Sequence, residues 1–206
     1  MYKMMIQNEK LKQLNLISQQ VMINHYLHTS SGLLSLFPSK NISTMEGNIH
    51  VSMQFIENNH GMKIVEIIVG NSSKESVLGK LLVESRMVTN AERIVFVSPK
   101  KDVLFHSDEE HLCLTSGVWK GKSIRQYAAF PIDGKLQKRL KSGDIGICPI
   151  GKGNISGIFT LEAVLEPGEI SKAYTWAISS NSEKTLLQLH EMLQKQTSFS
   201  NKKMIL

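Results

Sequence analysis

The sequence predicts a mainly β protein, an antiparallel two-sheet sandwich closed by one C-terminal helix. Three observations predict it. Apolar, β-branched segments arrive roughly every eight to twelve residues, as they do in sandwiches. Turn-forming residues separate them, and the one strong helical pattern comes last. At 206 residues the chain fits one large domain, whose core needs no disulfide staple.

The most regular stretch is GIFTLEAVLEPGEISKAYTWAISSNSEKTLLQLHEML, residues 157–193. Phe159, Leu161, Ala163 and Leu165 share one face of a strand, with Thr160 and Glu162 on the other. Glu166-Pro167-Gly168-Glu169 is a type II turn, because proline presets φ and glycine accepts the positive φ that follows. A second strand runs from Ile170 to Ser179 with Tyr174, Trp176 and Ile178 on one side. Ser180 and Glu183 match a capping box, and Leu186, Leu189 and Leu193 form the stripe of the helix they open.

Earlier in the chain, residues 1–16 read as a polar arm, 17–196 as the sandwich and 197–206 as a flexible tail. Leu11, Leu14, Ile17 and Val21 fit helical spacing, yet Val21–His28 and Gly32–Phe37 also fit strands. The turn material Thr29-Ser30-Ser31 between them favours strands from about Ile17. Pro38–Glu46 is an irregular connection. Ile49, Val51, Met53 and Phe55 alternate cleanly, Glu57–Gly61 turns the chain, and Lys63–Val69 is continuous enough to be a central strand covered on both faces. Val77–Met87, Arg93–Val97, Val103–His106, His111–Thr115 and Ser123–Phe130 follow as strands. Pro131–Gly143 reads as a long, polar, basic loop, and Ile145–Ile150 as a short apolar segment.

Composition excludes several functions. Net charge is +6, but only Lys135, Lys138, Arg139 and Lys141 cluster, without the interleaved aromatics that single-stranded nucleic acid needs. A solvated loop explains that cluster, so no nucleic-acid partner is expected. No apolar run could cross a membrane and the N-terminus lacks a secretion signal, which makes a cytoplasmic setting the expectation. Cys113 and Cys148 have no zinc-type spacing and read as buried free thiols.

Catalytic constellations are sparse. Gly151-Lys152-Gly153 leads into a strand and lacks the Lys-Ser/Thr of a phosphate loop. His106 and His111 flank the acidic turn Ser107–Glu110, better explained as a solvated hairpin tip than as a metal site. Sugar hydrolysis needs two facing carboxylates, and Asp108, Glu109, Glu110, Glu162, Glu166 and Glu169 offer no such pair. No catalytic residue, metal or cofactor is therefore expected.

Several stretches in order resemble the β-sandwich that precedes the catalytic barrel in prokaryotic members of glycoside hydrolase family 15, the glucoamylase and trehalase group. They are KIVEIIVGNSSKESVLGKLLVESR (63–86), FVSPKKDVLFHSDEEHLCLTSG (96–117), Asp133-Gly134-Lys135-Leu136, Gly153–Gly157, LEPGE (165–169), Tyr174-Thr175-Trp176 and Leu189-His190. Order and spacing agree over roughly residues 60–195. Two departures matter. The family's (α/α)6 barrel, with its catalytic glutamates, would begin where the chain stops at Leu206, and the family's opening strands are not evident in residues 1–45.

The resemblance implies a non-catalytic module that packs against a separate or missing (α/α)6-barrel catalytic subunit or domain in α-glucan or trehalose metabolism. It implies a loop lent to the rim of the sugar pocket within Phe130–Asn154, with Asp133, Gly134 and Lys135 as contact positions. Two other functions are expected less. One is a stand-alone carbohydrate-binding module stacking sugars on Trp119, Tyr127 or Trp176, with Trp119 the better exposed and Trp176 packed in the core. The other is a small hydrolase with an unrecognised site.

Overall fold

The computed structural model describes residues 21–37, 43–46, 48–58, 62–88, 92–109 and 111–200. The expected arm over 1–16 and the last residues of the expected tail, 201–206, lie outside them. Among the described residues, fourteen strands form two sheets. The first, sheet A, contains β1 (Val21–Thr29), β2 (Gly32–Leu36), β6 (Val77–Met87), β10 (Gln126–Pro131), β11 (Ile147–Cys148) and β13 (Ile155–Leu165), in the order β11-β10-β13-β6-β1-β2. Sheet B contains β3 (Ser43–Glu46), β4 (Ile49–Asn58), β5 (Met62–Asn71), β7 (Ile94–Ser98), β8 (Val103–Ser107), β9 (Leu112–Trp119), β12 (Ile150–Lys152) and β14 (Ile170–Ser180). Their order is β12-β7-β8-β9-β14-β5-β4-β3. Every pairing is antiparallel except that of β10 with β11. The expected antiparallel sandwich with a C-terminal helix is the observed fold.

Each sheet is apolar on both faces, so the molecule has four layers. Between the sheets, Leu27, Leu81, Val83, Phe159 and Leu161 of sheet A meet Val51, Met53, Val65, Ile67 and Trp119 of sheet B. The outer face of sheet B carries Ile64, Phe105, Leu114, Trp176 and Ile178, covered by Leu186 and Leu193 of the C-terminal helix, α2 (Glu183–Ser200). The outer face of sheet A carries Leu82, Ala128 and Ile158, covered by Leu136 and Leu140 of a shorter helix, α1 (Gly134–Ser142). β5 is buried on both faces, as its unbroken apolar run implies: Ile64 faces the helix while Val65 and Ile67 face the other sheet. No helix among the described residues is long and apolar enough to cross a membrane.

Three local expectations are corrected. Pro131–Gly143 is not a loop, because Gly134–Ser142 is helical. Asp133 accepts a hydrogen bond from the Lys135 amide at 2.9 Å and caps the helix start. Gly143, at φ 67°, takes the left-handed turn that ends it, with Arg139 and Lys141 near the C-terminal carbonyls. The second correction concerns the cap of α2. β14 runs through Ser180, and Ser182 is the residue whose hydroxyl receives the Thr185 amide at 3.3 Å. The helix then continues through Ser200. Third, the end of the expected irregular connection Pro38–Glu46 is strand: Ser43–Glu46 extends sheet B by pairing with β4.

Polar groups stitch the inner layer. His25 Nε2 lies 2.8 Å from Thr175 Oγ1, joining β1 to β14 across the sandwich. Ser85 Oγ lies 2.8 Å from His106 Nε2 and 3.3 Å from Thr115 Oγ1, joining β6 to β8 and β9. All five side chains are sealed from solvent. Burial alone pushes the His25 imidazole down to about 3. His106 falls to about 3 for the same reason, helped by the charge of Arg93. Both rings are therefore neutral. A third histidine, His190, locks α2 to sheet B: its Nδ1 accepts from Trp176 Nε1 at 3.3 Å and its Nε2 donates to the Lys101 carbonyl at 2.9 Å.

Two expectations about stability follow from the inner layer. The Trp119 ring edge points at Gly79, where an added Cβ would sit 2.6 Å from the ring carbon Cη2. Gly79→Ala should destabilise the protein by about 1–3 kcal/mol, the cost of overpacking a filled core, read as a lower urea midpoint. The histidines set the acid limit. Their folded pKa lies below the unfolded value of 6.5, so the unfolded chain binds more protons as pH falls. Stability should thus be whole above pH 6.5 and drop below it, by up to about 1.4 kcal/mol per pH unit per histidine. Urea unfolding at stepped pH should show this slope, and His106→Gln should about halve it; a flat profile through pH 5 would contradict neutral burial.

Candidate functional site

The region expected to contact a partner, Phe130–Asn154, forms a lobe along one edge of the sandwich. It leaves sheet A at β10, builds α1 on the outer face, returns to sheet A as β11 and crosses to sheet B as β12. Both sheets are thereby closed on this edge by six consecutive residues, 147–152. Several contacts fix the lobe. Leu136, Leu140 and Ile145 are buried. The Arg139 guanidinium sits 4.6 Å above the centre of the Phe130 ring and reaches the Ile145 carbonyl. Asp144 Oδ1 accepts from the Gly146 amide at 2.9 Å and from Gln126 Nε2 at 3.3 Å. Lys80 Nζ donates to the Gly143 carbonyl at 2.8 Å.

This rigid frame holds two large apolar side chains out to solvent. Ile147 is 74% exposed and Ile150 64% exposed, with exposed Pro149 between them. An aliphatic group left in water forgoes roughly 1.5–3 kcal/mol of burial. Three exposed apolar residues within four positions of this edge are the kind of feature that marks an interaction surface. The exposed Lys135, Lys138, Arg139 and Lys141 on α1 lie on the same lobe and give it a basic rim.

The expected site residues separate into two groups. Asp133, Gly134 and Lys135 do lie in the lobe, at the start of α1, where Asp133 is occupied as the helix cap and Lys135 is exposed. The aromatics do not join them. Trp119 was expected to be exposed and is instead fully buried between the sheets, its Nε1 donating to Ser171 Oγ at 3.0 Å. The reason is its place on β9: Cys113, Thr115, Gly117 and Trp119 all face inward, and hiding roughly 200 Å² of ring favours the core by about 5 kcal/mol. Tyr127 is half-buried against the same core. Trp176 is buried under α2 with Tyr174 and Ile178, as its strand face implies. Neither tryptophan presents a face on which a sugar could stack.

His106 and His111 part company at the hairpin. His106 points inward to Ser85, so the expected solvated tip holds only for His111, whose Nδ1 lies 3.1 Å from Asp108 Oδ1. Among the described residues no group of three His, Cys, Asp or Glu side chains is placed to hold a metal ion. Cys113 is buried and its thiol is pushed up to about 12, mainly by desolvation, which keeps it unreactive. Cys148, expected to be buried, is only half covered.

Two buried carboxylates escaped the sequence reading. Glu84, on the outer face of sheet A, accepts from Ser156 Oγ at 2.8 Å and from Asn24 Nδ2 and Tyr26 Oη at 3.1 Å each. Burial and this carboxylate together push the Tyr26 phenol up to about 12. Glu66, on the outer face of sheet B, accepts from Tyr174 Oη at 2.7 Å, Lys172 Nζ at 3.0 Å and Gln54 Nε2. Burial works to raise its pKa, but these three donors outweigh it and leave the carboxyl below the usual range. The two acids sit on opposite outer faces of the sandwich. They cannot flank one glycosidic bond, which requires a separation of about 5–9 Å.

The sequence matches no protein-family model and no curated protein sequence. Among solved structures the chain is similar to a bacterial glucoamylase complexed with acarbose, at 8% identity and a TM-score of 0.48, over 87% of this chain and 30% of that one. It is also similar to a polysaccharide lyase, at 11% identity and a TM-score of 0.46, over 84% of this chain and 28% of that one. The chain thus spans less than a third of the length of either structure.

Proposed function

We propose that this chain is a non-catalytic β-sandwich module that supports an (α/α)6-barrel catalytic partner in glucan or trehalose metabolism. The observation that carries the reading is the rigid lobe with Ile147 and Ile150 exposed on it. It occupies the stretch that the ordered sequence motifs liken to the barrel-facing loop of family 15 sandwiches. A partner would bury Ile147, Pro149 and Ile150, while the lysines of α1 would meet acidic groups around that apolar centre. The module's chemistry in this reading is support: packed strands and a capped helix hold the lobe in one geometry, so that the partner's pocket is completed without an ordering cost at binding. The environments of the candidate acids agree with this. Glu66 and Glu84 are each fully engaged by three donors, and they lie on opposite faces.

The test is co-expression with a barrel-type glycosidase encoded beside this chain. The two should elute as one complex, and the pair should release sugar from maltooligosaccharide or trehalose faster than the barrel protein by itself. Ile147→Asp with Ile150→Asp should weaken the complex at least about tenfold while leaving the melting temperature of the isolated sandwich unchanged. Separate elution together with unaltered activity would overturn the proposal.

A further inference from the structure

A second feature, independent of the support reading, lies at the end of the sandwich where β6 stops and β1 begins. A cavity of about 450 Å³ opens there, lined by Met22, Arg86, Met87, Val88, Arg93, Ile132 and Asn154. Five separate parts of the chain converge on it: the paired ends of β1 and β6, where Met22 lies opposite Arg86, the residue before β7, the residue after β10 and the turn before β13. Backbone bonds fix this convergence, since the Gly153 amide donates to the Arg93 carbonyl at 2.8 Å and the Ile132 amide to the Asn154 carbonyl at 3.0 Å.

The chemistry of the lining is asymmetric. Arg93 is pinned, its Nη1 donating to the Met87 carbonyl at 2.6 Å and its Nη2 to Asn154 Oδ1 at 2.8 Å. Its Nε is shielded from solvent and has no hydrogen-bond partner. Asn154, with its Oδ1 thus engaged, has its Nδ2 left to donate. Arg86 Nη2 lies 3.6 Å from Met22 Sδ. No ion pair among the described residues joins either arginine to a carboxylate. The acids nearby are already committed: Glu84 to Ser156, Asn24 and Tyr26, and Glu92 to Lys152 at 3.1 Å. Two guanidinium groups and an amide donor thus line a cavity whose remaining walls, Met22, Val88 and Ile132, are apolar.

Of the two guanidinium groups, that of Arg86 can grip an oxyanion through two parallel N–H bonds, and that of Arg93, held by Met87 and Asn154, adds a fixed positive charge. Together they balance the charge of a phosphate monoester dianion, whereas a single carboxylate would leave one cation uncompensated beside apolar walls. The volume lies within the usual range for small-molecule sites, roughly 300–1,000 Å³, and accommodates a phosphorylated monosaccharide. We propose that this pocket binds a small phosphate monoester through Arg86, Arg93 and Asn154, with the carbon skeleton packed on Met22, Val88 and Ile132.

Titration calorimetry and thermal shift with the full chain test it, using inorganic phosphate, a hexose 6-phosphate, glucuronate and glucose as probes. The hexose phosphate should bind, more weakly as salt rises, and raise the melting temperature. Glucuronate should bind about tenfold more weakly and glucose not at all. Arg86→Gln should lower hexose phosphate affinity by about tenfold or more without changing the melting temperature of the free protein. Arg93→Gln should also abolish binding, but it cuts the ties to Met87 and Asn154, so Arg86→Gln decides the matter. Three outcomes would overturn the proposal: no phosphate probe binds at millimolar concentration, glucuronate binds as tightly as the hexose phosphate, or Arg86→Gln binds like the unaltered chain. None of these readouts involves a barrel partner, so failure here is distinguishable from failure of the support reading.

Discussion

Two sheets whose central strands carry apolar side chains on both sides have four faces to keep from water, and packing the sheets together covers only two of them. The rest of the structure answers that shortage. α2 covers the outer face of sheet B through Leu186 and Leu193, and α1 covers that of sheet A through Leu136 and Leu140. Where neither helix reaches, the outer faces turn polar, and there Glu66 and Glu84 are found with their rings of donors. The positions of the buried acids are thus consequences of where the helices end.

The same constraint shapes the interior. A wholly apolar inner layer would permit one sheet to slide over the other, since apolar contacts carry little directional preference. His25 with Thr175, and Ser85 with His106 and Thr115, are directional contacts between opposite sheets. They fix the registration at the price of burying imidazoles that must remain neutral. Trp119 against Gly79 does the same by shape, a large ring seated where the facing residue has no side chain at all. Each device needs a small or polar residue in a strand that otherwise reads as apolar.

What remains free for function is correspondingly limited. The interior is closed and the buried acids are engaged, so interaction falls to the margins. One margin is the edge lobe, where the chain crosses from one sheet to the other with Ile147 and Ile150 facing water. The other is the end of the sandwich, where Arg86 and Arg93 line a cavity and, among the described residues, neither is ion-paired with a carboxylate. The lobe is basic and apolar, whereas the cavity is basic and open to solvent on one side. They use different residues and make separate demands on a ligand.

Most strands and their order of appearance were legible in the sequence because period-two alternation and turn chemistry are local, and the Pro167-Gly168 hairpin and the final helix are where those rules place them, whereas β3, four residues at a sheet edge, reads as connection. Helix α1 was not legible. Its signals, Asp133 before it, Gly143 after it and two leucines four apart, are short and embedded in lysines, and their weight comes from the uncovered face of sheet A, which only the folded chain presents. Trp119 shows the same limit: its neighbours Lys120 and Gly121 suggest a surface turn, while the inward phase of β9 places the ring in the core. The arginine pocket lay beyond sequence reasoning altogether, since residues 22, 86, 93, 132 and 154 become neighbours only through strand pairing. The chain by itself determined which segments are strands, for that depends on adjacent residues; tertiary structure decided which polar groups meet, for that depends on which faces are covered.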